Sequence, residues 1–167
     1  ADGCIIEGTY KGYSGALKFG VQVRDIDILE KIKKELASDH KISLVQNAAH
    51  LGIASQILVN DLKKLHINYR KSLKENIPDV PKNYTKDFIR GIVDGDGSIH
   101  FNKRNIPTLS VCGGENTIIF IQTYFILKFN IYSKVTSVKK YENSRPIFYI
   151  AYRSNSAKTL INHLYNN

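Results

Sequence analysis

The chain has 167 residues, a net charge of +9 and a sequence pI near 9.5. This length suits one domain or two halves that share a core, and a hydrophobic content of 43% is ordinary for a globular protein. The positive charge favours an anionic partner such as nucleic acid, although a basic protein without such a partner has the same composition. No apolar run reaches the roughly 18 residues of a membrane span, and no signal peptide is visible.

Neither the two cysteines nor the five histidines have the spacing of a metal-ligand set. Cys4 and Cys112 are therefore predicted to be reduced, buried thiols of an intracellular protein, in a bacterial cytoplasm or an organelle. The histidines are interpreted as structural. The sequence also contains no Ser-His-Asp or Cys-His arrangement and no phosphate-binding glycine loop, so neither a triad hydrolase nor a P-loop enzyme is indicated.

Residues 4–24 predict two strands joined by a loop at 10–15. Along the second strand Leu17, Phe19, Val21 and Val23 alternate with Lys18, Gly20, Gln22 and Arg24. A period of two predicts one face in the core and one polar, basic face. Glutamine and arginine are suited to base edges or phosphates, whereas the alternative is an ordinary solvated sheet face.

The next segments predict helices and short strands. Residues 27–36 are typical of an amphipathic helix, capped by Asp25 or Asp27, whose apolar stripe is Ile28, Leu29, Ile32 and Leu36. Strands are predicted at 42–45 and 51–54, and a second helix at 57–65. The prolines at 78 and 81 indicate a linker.

The stretch 88–97, with the sequence FIRGIVDGDG, predicts a helix that Thr85 or Asn83 caps and Gly97 ends. Gly91 and Gly95 then lie on one face, where another backbone can approach closely.

Two acids fall in the last turn of this predicted helix, Asp94 and Asp96. The negative end of the helix dipole disfavours an exposed acid by about 0.3–1 kcal/mol. A divalent cation would offset that cost and is the predicted ligand of this helix end.

A partial repeat of the same stretch begins the chain. Ala1-Asp2-Gly3-Cys4-Ile5 is similar to residues 95–99, Gly-Asp-Gly-Ser-Ile. After residue 97 the pattern of strands and helices recurs, with strands at 98–102, 108–112, 134–141 and 147–153 and helices at 116–129 and 157–165. Ile118, Ile121 and Phe125 are spaced for a core. The spacing of about 94 residues, which also separates Asp2 from Asp96, predicts pseudo-twofold symmetry.

Residues 89–97, I-R-G-I-V-D-G-D-G, resemble the signature of the LAGLIDADG homing endonucleases, and the repeat resembles their two-repeat members with the first motif truncated. The resemblance implies an α/β (α+β) fold of two pseudo-symmetric αββαββα repeats, whose antiparallel sheets form a saddle on double-stranded DNA. The expected domains are 1–77 and 84–167 with a linker at 78–83, in a monomer with internal pseudo-twofold symmetry. Because the chain contains no Met, it is expected to be a piece of a longer protein.

The resemblance also implies the reaction, which is site-specific double-strand cleavage with Mg²⁺ or Mn²⁺. The implied catalytic residues are Asp2, Asp96 and Lys71, and the implied metal ligands are Asp2, Asp96, Gly95 and Ala1. Gly91 and Gly95 would form the interface between the two motif helices. A non-catalytic DNA-binding regulator on the same fold, or a group I intron RNA maturase, remains an alternative.

The expected DNA-binding residues are basic or amide side chains on strands and loops: Lys18, Gln22, Arg24, Arg70, Lys103, Arg104, Lys139, Lys140, Arg145 and Arg153. Gln22 and Arg24 are expected to contact base edges, and Lys139 and Lys140 phosphates. Thr108, Ser110 and Cys112 are expected on the matching face of the second repeat. From residue 98 onward the sequence contains nine Lys or Arg residues but only two acidic residues, Glu115 and Glu142.

Overall fold

The computed structural model of this chain describes residues 3–6, 15–67, 69, 77–139 and 146–166. The first half contains β1 (Gly3–Ile6), β2 (Ala16–Gln22), α1 (Ile26–Glu35), β3 (Ile42–Val45), β4 (Ala48–Ala54) and α2 (Gln56–Lys64). The second half contains α3 (Thr85–Asp96), β5 (Gly97–Phe101), β6 (Pro107–Gly113), α4 (Glu115–Phe129), β7 (Thr136–Val138), β8 (Ile147–Arg153) and α5 (Ser154–Tyr165). The α+β class predicted from the sequence is confirmed. The chain divides into two compact units, one within residues 2–71 and the other within 72–167.

Each unit is built on one antiparallel sheet, and the two sheets have the same strand order. The first is β1-β2-β4-β3 and the second is β5-β6-β8-β7. In both, a helix follows the second strand and another follows the fourth. The predicted recurrence of strands and helices is therefore present as two copies of one topology.

The first sheet confirms the alternation on β2 only as far as Gln22. Leu17 is buried, but Val23 is 37% exposed and lies with Arg24 in a 3-10 turn, Val23–Asp25. Gln22 makes the last pair with β4, and the Val23 amide then donates to the Asn47 carbonyl at 3.0 Å. The prediction that Arg24 shares the strand face of Lys18 is wrong, because the sheet ends before it.

The first helix is shifted relative to the predicted stripe. Leu29 is fully buried and Ile26 and Ile32 pack beside it, whereas Ile28 is 46% exposed and Leu36 42% exposed. The helix begins at Ile26, so the core-facing positions are spaced by three from that residue. The prediction for Ile28 and Leu36 is therefore wrong. Asp25 occupies the N-cap position but its side chain makes no capping bond, and Asp27 lies within the helix.

The core of the second unit lies between its sheet and three helices. Ile118, Ile121 and Phe125 of α4 are fully buried, as their spacing predicts. The ring of Phe125 meets that of Tyr152 edge to face, with centroids 5.4 Å apart. Full burial of each such side chain contributes about 1.5–3 kcal/mol, so this cluster fixes the helices against the sheet.

The helix α3 passes directly into β5. It is preceded by a 3-10 turn, Lys82–Tyr84, and no side chain caps it, so the prediction of Thr85 or Asn83 as the cap is wrong. The Thr85 hydroxyl instead donates to the Pro81 carbonyl at 3.5 Å. Gly97 ends the helix as predicted, but its backbone is extended, with φ −104°. A Cβ on Gly97 would lie 2.5 Å from the Val93 carbonyl oxygen. Any side chain at position 97 would therefore clash with the helix backbone, and only glycine fits.

Replacing this glycine tests that contact. We expect Gly97→Ala to lower the free energy of unfolding by about 1–3 kcal/mol or more, because the Val93 backbone must move. The matched control is Gly91→Ala on the same helix, where a Cβ meets no described atom within 4 Å. The control should be neutral, or stabilising by up to about 1 kcal/mol, because alanine favours helix. Urea unfolding followed by circular dichroism measures both, and equal unfolding curves would contradict the proposed close contact.

Candidate nucleic-acid interface and acidic helix end

The second sheet presents a polar face opposite its core face. Leu109, Val111 and Ile150 point into the core. The alternate positions form the outward face: Ser98, His100, Thr108, Ser110, Cys112, Thr136, Val138, Ile147, Tyr149, Ala151 and Arg153. Thr108 pairs with Arg153, and Ser110 with both Ser98 and Ala151. None of these outward residues is acidic, so the face suits a polyanion. The predicted positions of Thr108, Ser110 and Cys112 agree with this register. The prediction of buried thiols is wrong, because Cys112 is only half-buried on this face and Cys4 is exposed.

A cleft of about 450 Å³ opens at one edge of this face. Its walls include Tyr132, Lys134, Tyr149 and Arg153, and none of its lining residues is acidic. The Ser133 hydroxyl donates to the Ala151 carbonyl at 2.5 Å, which holds the 132–134 segment beside β8. Cations together with aromatic rings suit a nucleotide, whose phosphate is charged and whose base is flat.

The loop between β5 and β6 presents two cations. The side-chain oxygen of Asn102 accepts from the Arg104 amide at 2.9 Å and from the Ile106 amide at 3.0 Å. Asn105 has a positive φ of 57°, which asparagine tolerates better than most residues. This local network shapes the turn and leaves Lys103 and Arg104 exposed at its tip, where they were expected.

The first sheet has a comparable outward face. Lys18 lies across from Gly52, and Gln22 across from Ala48. Gly20 lies between them on β2 and pairs with His50 of β4. Sequence reasoning dismissed His50, although β4 itself alternates between buried Ala49, Leu51 and Ile53 and the outward positions 48, 50, 52 and 54. That alternation was the signal that could have found it.

Arg24 lies away from this strand face, in the turn that follows. Its guanidinium Nε is 3.6 Å from an Asp25 carboxylate oxygen, and its side chain is 77% exposed. An exposed pair of this kind adds little to stability. Arg24 thus remains an exposed cation whose predicted base contact would be made from a turn rather than from the sheet.

The acidic end of α3 lies next to the polar sheet. The Tyr165 hydroxyl donates to Asp94 Oδ1 at 2.5 Å, and Cys112 Sγ donates to the backbone carbonyl of Asp96 at 3.3 Å. The last turn of α3 contains no basic residue. Both carboxylates are exposed and lie at the negative end of the helix dipole, which favours a bound cation.

Several predicted site residues lie outside the described part of the chain. They are Ala1, Asp2, Arg70, Lys71, Lys140 and Arg145. Among the described residues, no group of three or more His, Cys, Asp or Glu is placed to hold a metal ion. Gly91 and Gly95 both lie on the exposed side of α3. Their predicted contact with a second motif helix stays a prediction.

Comparison with solved structures finds LAGLIDADG homing endonucleases. I-GzeII in complex with its DNA target has a TM-score of 0.65 and 13% identity, covering 100% of this chain and 81% of that one. I-LtrWI bound to target DNA has a TM-score of 0.60 and 14% identity, covering 100% and 80%. I-SmaMI bound to uncleaved DNA in the presence of calcium ions has a TM-score of 0.62 and 11% identity, covering 99% and 81%.

At these identities the likeness establishes the fold, and the two-repeat fold implied by the sequence motif is confirmed. No protein-family model and no curated protein sequence matches the chain. Among the described residues, no helix has both the length and the apolar character that crossing a membrane requires.

The Tyr165–Asp94 contact has a measurable pH signature. Burial, together with the hydrogen bond and the charge of Asp94, raises the pKa of the Tyr165 phenol above its ordinary 10.0. The contact's contribution to stability is therefore complete below pH 10.0 and is lost as the pH rises beyond it. We expect the free energy of unfolding to fall as the pH rises above about 10, and to fall less in Tyr165→Phe.

The control for this titration is Tyr84→Phe, which removes a phenol from a side chain that is 59% exposed. The Tyr152 phenol, whose pKa burial also raises, is present in all three proteins and cancels from the comparison. Identical pH curves for the parent and Tyr165→Phe would show that the contact does not stabilise the fold.

Proposed function

We propose that this chain, which has the fold of the LAGLIDADG homing endonucleases, is part or all of a site-specific double-strand DNA endonuclease. The observation that carries the proposal is the position of Asp96. It is the last residue of α3, and the next residue begins the sheet whose outward face carries no acid. A carboxylate beside a polar, basic surface is the arrangement that metal-assisted hydrolysis of a phosphodiester needs.

Binding rests on the outward residues of the two sheets. Lys103 and Arg104 at the β5–β6 turn and Arg153 on β8 supply charge for phosphates. Gln22 and Ser110, which project from strands, can exchange hydrogen bonds with base edges in the major groove. DNA complexes of proteins with this fold support a duplex as the partner. Phosphate contacts would position the duplex, and the strand residues would select its sequence.

The fold implies a divalent cation, and the donor set fits one. Asp96 offers a carboxylate at a helix end with no basic residue in the last turn, and carboxylate and carbonyl oxygens are the ligands that Mg²⁺ prefers. Asp2, Asp96 and the backbone carbonyls of Ala1 and Gly95 are the proposed ligands. When bound, the ion supplies Lewis-acid stabilisation of charge on the phosphate and lowers the pKa of water.

The protein's own residues contribute orientation and charge. Gly97 fixes the last turn of α3 on β6, so the Asp96 carboxylate is positioned before DNA arrives. Cys112 holds the Asp96 carbonyl from the sheet side. Lys71 is the proposed cation beside the scissile phosphate, where a positive charge would stabilise the negative charge that develops in the displacement.

Cleavage is tested on the duplex that the chain itself selects from a random-sequence library. We expect Asp96→Asn to bind that duplex within about twofold of the parent and to lose Mg²⁺-dependent cleavage, because amide oxygen is a weak substitute for carboxylate. The measurement is strand scission on gels with Mg²⁺ and with EDTA. Asp87→Asn is the control, because Asp87 lies at the start of the same helix, 3.4 Å from Arg90.

Full cleavage by Asp96→Asn would exclude Asp96 as a metal ligand. Specific binding without cleavage by the parent itself would instead support the non-catalytic regulator. Binding to intron RNA in preference to duplex DNA would support the maturase.

Two further variants separate base reading from phosphate binding. Gln22 projects from β2, so Gln22→Ala should relax preference at one or two base pairs and cost about 1–3 kcal/mol on the selected duplex alone. Lys139 follows the last residue of β7, and Lys139→Ala should weaken binding to every duplex and reduce the salt slope by about one. Binding isotherms on selected and scrambled duplexes at several salt concentrations measure both. Equal losses on the two duplexes for Gln22→Ala would remove it from the specificity set.

A further inference from the structure

His50 lies against the backbone of Gly20 on the outward face of the first sheet. The two residues pair across β2 and β4. A Cβ on Gly20 would lie 2.9 Å from His50 Nδ1 and 3.2 Å from its Cε1. Real Cβ atoms do not approach ring atoms this closely, so only glycine at position 20 leaves room for this ring position. The histidine is therefore held in place by a residue on the neighbouring strand.

The contact also decides which ring nitrogen carries the proton. Nδ1 is buried and has no hydrogen-bond partner among the described residues. A proton on Nδ1 would leave a buried N–H without an acceptor, which costs more than a buried lone pair. Nε2 is not among the buried unpaired atoms, and the side chain is only partly buried. The tautomer with its proton on Nε2 is therefore favoured, and it offers Nε2–H as a donor.

The surroundings of His50 leave this donor accessible. Its outward neighbours on β4 are Ala48 and Gly52, and a Cβ on Gly52 would meet no described atom within 4 Å. On the other side it pairs with Ser43, whose hydroxyl donates to the His50 carbonyl at 3.4 Å. Lys18 and Gln22 flank Gly20 on the same face. Small neighbours let a base edge approach, and none of the flanking residues offers a carboxylate that would compete for the donor.

We propose that His50 is a specificity-determining residue, held by Gly20 so that Nε2–H donates to an acceptor on a base edge in the major groove. The inference rests on the proposed DNA-binding function and identifies one residue that would recognise a base. A single donor selects the acceptors of guanine, adenine or thymine and rejects the amino group of cytosine. Gly20 acts as a positioning residue, because the described atoms that a Cβ at position 20 would meet belong to His50.

The test compares four proteins on a random-sequence duplex library, with sequencing of the bound fraction. His50→Ala should lose the preference at one base-pair position by about fivefold or more and keep the others. Gly20→Ala should lose the same position, because its methyl group displaces the ring. Gly114→Ala, at the residue before α4 and with open space around it, should keep the parent's preference.

A double variant links the two residues. If Gly20 acts only through His50, then Gly20→Ala/His50→Ala should show the preference of His50→Ala alone. The salt dependence of binding should stay that of the parent, because no phosphate contact is lost. If urea unfolding shows that Gly20→Ala is not folded, the base preference of His50→Ala alone tests the proposal, because that substitution adds no volume to the sheet.

The failures of the two proposals are distinguishable. A parent that selects a duplex, with a His50→Ala variant that keeps every base preference, overturns the role of His50 and leaves DNA binding intact. A parent that binds duplexes without any sequence preference overturns both the role of His50 and the site specificity of the proposed function, and leaves only general DNA binding. A parent that binds no duplex overturns the proposed function and the role of His50 with it.

Discussion

The junction between α3 and β5 is the constraint on which the second unit depends. The helix runs into the strand without an intervening loop residue, and the chain can do so only because position 97 has no Cβ. The same residue pairs with Val111, so the helix end is tied to the second strand of the sheet. Asp96 is held at this corner from both sides. An acid on a flexible loop would instead have to be ordered when a ligand binds, at an entropic cost.

Much of the fold follows from hydrophobic periodicity. The spacing of Ile118, Ile121 and Phe125 by three and then four residues predicted the buried side of α4, because these positions share one face of a helix. The first helix was less determined, because a start one residue earlier at Ile26 moved the stripe and left Ile28 exposed. Alternation likewise cannot tell where a strand stops. Arg24 continues the pattern of β2, but its partner strand has already ended.

The site was predictable only in part. A helix ending in acids is a local pattern, so Asp94 and Asp96 could be named from the sequence. Their contacts come from distant residues, because Tyr165 is 71 positions away from Asp94 and Cys112 is 16 away from Asp96. The pairing of His50 with Gly20 depends on strand register, which a single sequence does not specify. A histidine and a glycine that look unremarkable separately therefore become one unit only in the folded sheet.

The central claim is that a divalent cation binds at the end of α3, and paramagnetic broadening by Mn²⁺ tests it most directly. In NMR spectra of the chain bound to its selected duplex, Mn²⁺ should broaden the amide signals of Gly95, Asp96 and Gly97. The amide of Asp87 lies nine residues before Asp96 on the same helix, at about 1.5 Å of rise per residue, and should be much less affected. Asp96→Asn should abolish the selective broadening. Broadening that is absent at these amides in the parent, or unchanged in Asp96→Asn, would contradict the account.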